Sequence, residues 1–171
     1  MSTIIRRLGS AARVAKRDPR LAWLAFQCFV LLIVMRGVIT LLPLRRISGH
    51  LGSPMEETAT IDLDDAAMRH SRRVAWCIAK VAAFTPTTSN CYPQGLTARY
   101  LLRRRRIPST IYYGAAFDSA GSDLVTHVWV RVGSFMVTGA PVHRRFAVVS
   151  KFADHEWAGR SATDARQASS T

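Results

Sequence analysis

Acidic residues are scarce: 11 Asp and Glu stand against 24 Lys and Arg, and the 171-residue chain carries a formal charge of +13. Such an excess predicts an anionic partner, whether nucleic acid, an anionic membrane surface, or an acidic peptide or protein. Cysteine is scarce as well. Cys28, Cys77 and Cys91 are too few and too scattered for a disulfide framework. With no CxxC pair and no zinc-spaced Cys/His cluster, no metal and no cofactor are expected, and the chain reads as reduced and cytoplasmic. No small-residue cleavage site follows the long apolar run, which argues against a secretory signal. No helix-turn-helix, zinc finger or RNP motif is present, and the arginines are not interleaved with aromatics, so nucleic acid is set aside as a partner. Apolar residues, by contrast, are plentiful. At 49% of the chain they suffice for a genuine core and exclude wholesale disorder.

Composition divides the chain into three stretches. Residues 1–54 hold a basic arm (Arg6, Arg7, Arg13, Lys16, Arg17, Arg20), an apolar run over residues 21–44, and the start of a linker. The run is long enough for one membrane span, which takes about 20 apolar residues. However, Gln27 and Arg36 interrupt it, Pro43 ends it, and arginines flank both sides, so the positive-inside rule assigns no orientation. A buried or partner-covered helix, an interfacial helix making peripheral membrane contact, and a true span all stay open. Residues 49–60 read as linker, with Gly52, Ser53 and Pro54 as breakers. Residues 55–154 form the expected catalytic-sized domain, and residues 155–171 are small and polar enough to be disordered.

Within the domain, Asp62 is the expected N-cap of a helix, with Asp64 and Asp65 in its first turn. Leu63, Ala67, Val74, Cys77, Val81 and Phe84 recur at helical spacing, and His70 falls on the same face as a core histidine. Residues 85–90 form a loop, and a second helix is predicted over residues 91–106 with Pro93 in its first turn. Arg103 to Arg106 then complement the dipole at its C-terminal end. After Pro108 the period changes to two. Residues 110–115, 124–132, 134–138 and 146–152 read as strands, with turns at Gly121-Ser122 and Gly133-Ser134. Helices followed by a small antiparallel sheet make an α+β domain.

Cys28 and Cys77 sit in apolar surroundings and read as packing residues. Cys91 differs, because it follows a polar loop and opens a helix. Free N–H groups and the helix dipole there lower a thiol below its usual ~8.5 and favour the reactive thiolate. His127 lies in the middle of an apolar strand, sharing a face with Val125, Trp129 and Arg131. Its ring nitrogens need partners. One reading is a structural hydrogen bond. The other is a thiolate–imidazolium pair in which Nδ1 faces Cys91, with Trp129 shielding it from water.

The runs NCYPQGLTARYLLRRRRIPSTIYYGAA, THVWVRVGSFMVTG and FAVVSKFA together resemble the transglutaminase-like leader peptidases of lasso-peptide biosynthesis, the B proteins. The resemblance covers roughly residues 55–153, and LPLRRISGHLG before them looks like the same family. It implies a papain/transglutaminase-like core with Cys91 as nucleophile and His127 as base. The implied reaction removes the leader from a ribosomally made precursor peptide through an acyl-enzyme, with the Cys91 N–H in the oxyanion hole. The implied partners are the precursor peptide, a separate leader-recognition protein (no winged-helix-like module is read in the first 60 residues), an ATP-dependent macrocyclase and export machinery. The sequence departs from the family at one point: such enzymes often carry an Asp about a dozen residues after the histidine, where Thr138 and Gly139 stand here. Asp123 lies on the histidine side by strict alternation, but near a turn. Transglutaminase- or amidase-type acyl transfer by the same pair, and a non-catalytic membrane-associated scaffold, are the alternatives.

Overall fold

In the computed structural model the described residues are 18–60, 63–85, 91–119, 121–140 and 142–154. The basic arm before Asp18, the expected cap Asp62 and the expected disordered tail all lie outside them. Helix α1, Pro19–Leu41, starts where Asp18 accepts a hydrogen bond from the Leu21 N–H at 3.0 Å and Pro19 takes the first position. It is long and apolar enough to cross a membrane by length and composition alone. Yet Leu24, Cys28 and Leu32 are buried, and the helix packs along α3 and α4 (below). A short helix α2, Leu44–Ser48, turns the chain after Pro43.

The stretch expected to be linker contributes structure. Ser53–Pro54 forms a two-residue edge strand, β1, and Thr58 is buried against the Thr110 hydroxyl at 2.9 Å. Helix α3, Asp65–Ala82, is capped by Asp64 rather than Asp62: the Asp64 carboxylate accepts from the Ala67 N–H at 2.6 Å. Val74, Cys77 and Ile78 are its buried face, whereas Phe84, expected on that face, lies past the helix end and is exposed. Helix α4, Cys91–Arg104, stops two residues short of the expected end. Arg106 adopts a left-handed φ of 54°, Ile107 N–H bonds the Leu102 carbonyl at 3.1 Å and Arg106 N–H bonds that of Arg103 at 2.9 Å. This is a Schellman ending closed by the buried contact of Leu102 with Ile107.

Four longer strands follow: β2, Thr110–Phe117; β3, Leu124–Val132; β4, Phe135–Thr138; and β5, Ala147–Ala153, which comes after a single 3-10 turn at His143–Arg145. All pairings are antiparallel, in the order β1-β5-β2-β3-β4. The α+β class follows as expected. Alternation along β3 turns Val128, Val130 and Val132 toward the helices, where they join Leu96, Leu102 and Ile111 in one core with Leu24 and Cys28 of α1. Each such side chain contributes about 1.5–3 kcal/mol on burial.

Two buried arginines tie the segment after α2 to the sheet. Arg99 donates to the carbonyls of Ser109 and Leu51 and to the Ser109 hydroxyl, and faces Asp154 at 3.9 Å. Arg131 donates to the Tyr112 hydroxyl at 2.8 Å, the Thr58 carbonyl at 2.9 Å and Glu57 at 3.1 Å. Burial costs a guanidinium its hydration, and these partners replace it.

Candidate active site

Cys91 is the first residue of α4, half-buried and packed against the core. What seats the helix so close to the sheet is a glycine. A Cβ at Gly95 would stand 2.8 Å from Val128 Cγ1 and 3.6 Å from Ile111 Cδ1. One turn earlier, the Tyr92 ring meets Tyr113 edge-on at 5.5 Å, and burial pushes both phenols up. Tyr113 pairs with Val128, and the next residue, Gly114, pairs with His127. The first turn of α4 therefore stands at the level of the sheet where His127 sits.

His127 is half-buried on the other face, with Trp129 as expected. Its ring stacks on Phe146 at 5.0 Å and beside Trp129 at 5.9 Å, and Trp129 in turn lies flat on Tyr112 at 5.4 Å. Nε2 is buried without a hydrogen-bond partner among the described residues. A Cβ at Gly139 would lie 2.8 Å from that atom. Of the two positions at which an orienting acid was sought, 139 is thus the one that faces the imidazole, and glycine offers only backbone there. Thr138 is buried opposite Val130, and its hydroxyl makes no hydrogen bond among the described residues. Asp123 is exposed in the β2–β3 turn, bonded to Asp118, and stands about 13 Å from His127 along an extended strand. It does not reach the imidazole.

Loss of water around the ring lowers the His127 pKa; the Gly139 backbone opposes this, and the charge of nearby His143 adds to the lowering. The net lowering favours the neutral imidazole, the form that accepts a proton. His143, whose Nδ1 lies 2.8 Å from the Ala140 carbonyl, and Phe146 complete its surroundings. Neither was singled out from sequence, since both fall in an irregular stretch where no period marks a facing direction.

The structure brings the helix of Cys91 to the strand of His127, but the two side chains approach from different sides of β3. Strand β4 pairs with β3 at Val130, Arg131 and Val132; among the described residues no strand pairs with the outer edge of β3 at residues 124–129, although Gly139 lies beside Trp129. Among the described residues no cluster of three His, Cys, Asp or Glu side chains could hold a metal ion.

A family model described as the transglutaminase-like superfamily matches residues 29–151. The chain belongs to the transglutaminase-like superfamily. The match begins inside α1 and ends within β5, so the superfamily domain includes the second half of the apolar helix. Members of this superfamily are commonly cysteine-based enzymes, consistent with peptidase or acyl-transfer chemistry. No curated protein and no solved structure matches the chain.

Proposed function

We propose that this protein is a cysteine peptidase that removes the leader from a lasso-type precursor peptide, with Cys91 as nucleophile and His127 as base. One observation carries the catalytic part: with Nε2 turned to Gly139, Nδ1 is the nitrogen left for a thiol, and Cys91 opens a helix at that level of the sheet. The thiol would reach the imidazole past the outer edge of β3 on the side of His127 away from Gly139, where no described strand pairs. His127 would take the thiol proton, the thiolate would attack the carbonyl at the end of the leader, and the Cys91 N–H, which has no intrahelical partner, would face the oxyanion. Returning the proton to the departing amine leaves an acyl-enzyme for water to hydrolyse. Leader specificity rests on the sequence resemblance, and a separate recognition protein would deliver the peptide.

The test is cleavage of such a precursor by the purified protein, with and without the recognition protein, followed by mass spectrometry. Cys91→Ala and His127→Ala should each lower the rate at least about a hundredfold while keeping the folded circular dichroism spectrum. If both variants cleave normally, the assignment of roles is wrong. Incubation with a primary amine separates hydrolysis from amide transfer, because a transferase leaves the amine on the product. A second reading, a non-catalytic scaffold, is favoured by the missing side chain at Gly139. Absence of any cleavage with the recognition protein present would establish it over the first.

A further inference from the structure

Helix α1 has two apolar faces, and the domain covers one. The other carries Trp23, Phe26, Val30, Ile33, Val34 and Leu41, which are 40–82% exposed. With Gly37, around which a side chain would meet only open space, these positions fall within an arc of about 100°. Arg36 lies outside that arc. Trp23 stacks on Phe26 at 5.5 Å at its N-terminal end. Water-exposed apolar stripes of this length on a packed domain mark a surface that is covered in use.

Trp23 also lines a groove of about 1190 Å³ bounded by α1, α3 and the end of α4. Arg20, Arg69, Arg73, Arg104 and Arg105 line it. The nearby carboxylates are partly occupied: Asp64 caps α3, Asp18 caps α1 and pairs with Arg73 at 3.4 Å, and Asp65 faces Arg69 at 3.9 Å. At the far end of the stripe Arg45 and Arg46 are exposed on α2.

We propose that the outer face of α1 and this arginine groove form one docking surface for an anionic phospholipid membrane, with α1 lying flat in the interface. The layout of the surface carries the assignment. With the helix flat, the stripe faces the acyl chains along its whole length, while the groove arginines beside Trp23 and Arg45 and Arg46 past its other end sit at the depth of the phosphates. A spanning placement is at odds with the packing, because α3 and α4 lie against α1 and would take exposed Arg72, Arg73 and Lys80 into hydrocarbon.

Flotation of the full chain with vesicles tests the surface. Binding should be strong with phosphatidylcholine vesicles containing phosphatidylglycerol, weak with phosphatidylcholine alone, and reduced by salt. At about fivefold per arginine, Arg104→Gln/Arg105→Gln should weaken binding by more than tenfold. Arg144→Gln/Arg145→Gln, which removes the same charge elsewhere, should leave binding unchanged. Phe26→Gln/Ile33→Gln alters exposed positions only, so it should melt like wild type and lose most binding. Three results would overturn the proposal: no flotation with anionic vesicles at low salt, equal losses in the two arginine pairs, or full binding by the Phe26/Ile33 variant. A vesicle-free dimer that this last variant dissolves would also overturn it, by assigning the stripe to a second copy of the chain.

Discussion

Gly139 has no side chain where one would press on His127: a Cβ there would stand 2.8 Å from Nε2 and 2.6 Å from Trp129 Cβ. Its φ of 75° also lies in the left-handed region. Gly139→Ala should therefore cost about 2–4 kcal/mol, from backbone strain and crowding together. The ring resonances of His127 and Trp129 should shift more than those of Trp76, which is exposed on α3. Urea melts and NMR of the variant check both outcomes. Unchanged stability would mean that the β4 end yields easily.

Stability should fall as the solution is acidified through the histidine range. At His127 burial is the largest cause of a lowered pKa, and at His70 burial acts first, followed by Arg105 and Arg73. With folded values below the unfolded value near 6.5, the contribution is fully present above about pH 6.5. It is lost as the pH drops from there through the folded values, because the unfolded chain takes up the protons first. The urea midpoint should drop between about pH 7.5 and pH 5.5, and His70→Asn/His127→Asn should flatten that drop.

Removing Arg99 should be among the costliest single changes outside the apolar core. Its guanidinium, with a pKa brought down to about 10 by burial, is the buried partner of Asp154 and of two carbonyls. Among the described residues Asp154 would keep only the ion pair with Arg103 at 3.6 Å. Arg99→Ala should cost about 3–5 kcal/mol, read from chemical denaturation. A loss within experimental scatter would show that water replaces the guanidinium at no cost.

Thiol labelling should distinguish the three cysteines. Cys28 and Cys77 are fully buried, and the Cys28 thiol is pushed up by its hydrogen bond with Cys77 and by burial. Cys91 is partly exposed. Iodoacetamide under native conditions should modify Cys91 alone, and all three thiols in denaturant; peptide mapping reads the result. Native labelling of Cys28 would mean that α1 lifts off the domain.

Local patterns in the sequence carried much of the architecture. The period of 3.6 marked α3, although its cap sits two residues later than Asp62, and the period of two marked β2 to β5 within two residues. Relations between distant segments were not legible. Two residues at Ser53–Pro54 become a strand only because β5 is there to pair with them. The apolar run at residues 21–44 gave length and hydropathy, but which face was buried depended on α3 and α4. Cys91 and His127 stood out by residue type and local surroundings. The role of position 139 did not, because a glycine shows its meaning only beside the imidazole it leaves room for, and Phe146 and His143 reach that ring through a loop without periodicity.

Strand β5 is the last of the described strands along the chain, yet it lies between β1 and β2. During synthesis, then, β2 emerges with one long edge bare, and β1 waits for a partner made roughly a hundred residues later. Over the same interval α1 is complete with its outer apolar face uncovered, and its inner face waits for α3 and α4. The nascent chain passes through a stage that offers a greasy helix and an open strand edge at once, the combination most in need of a chaperone or a lipid surface.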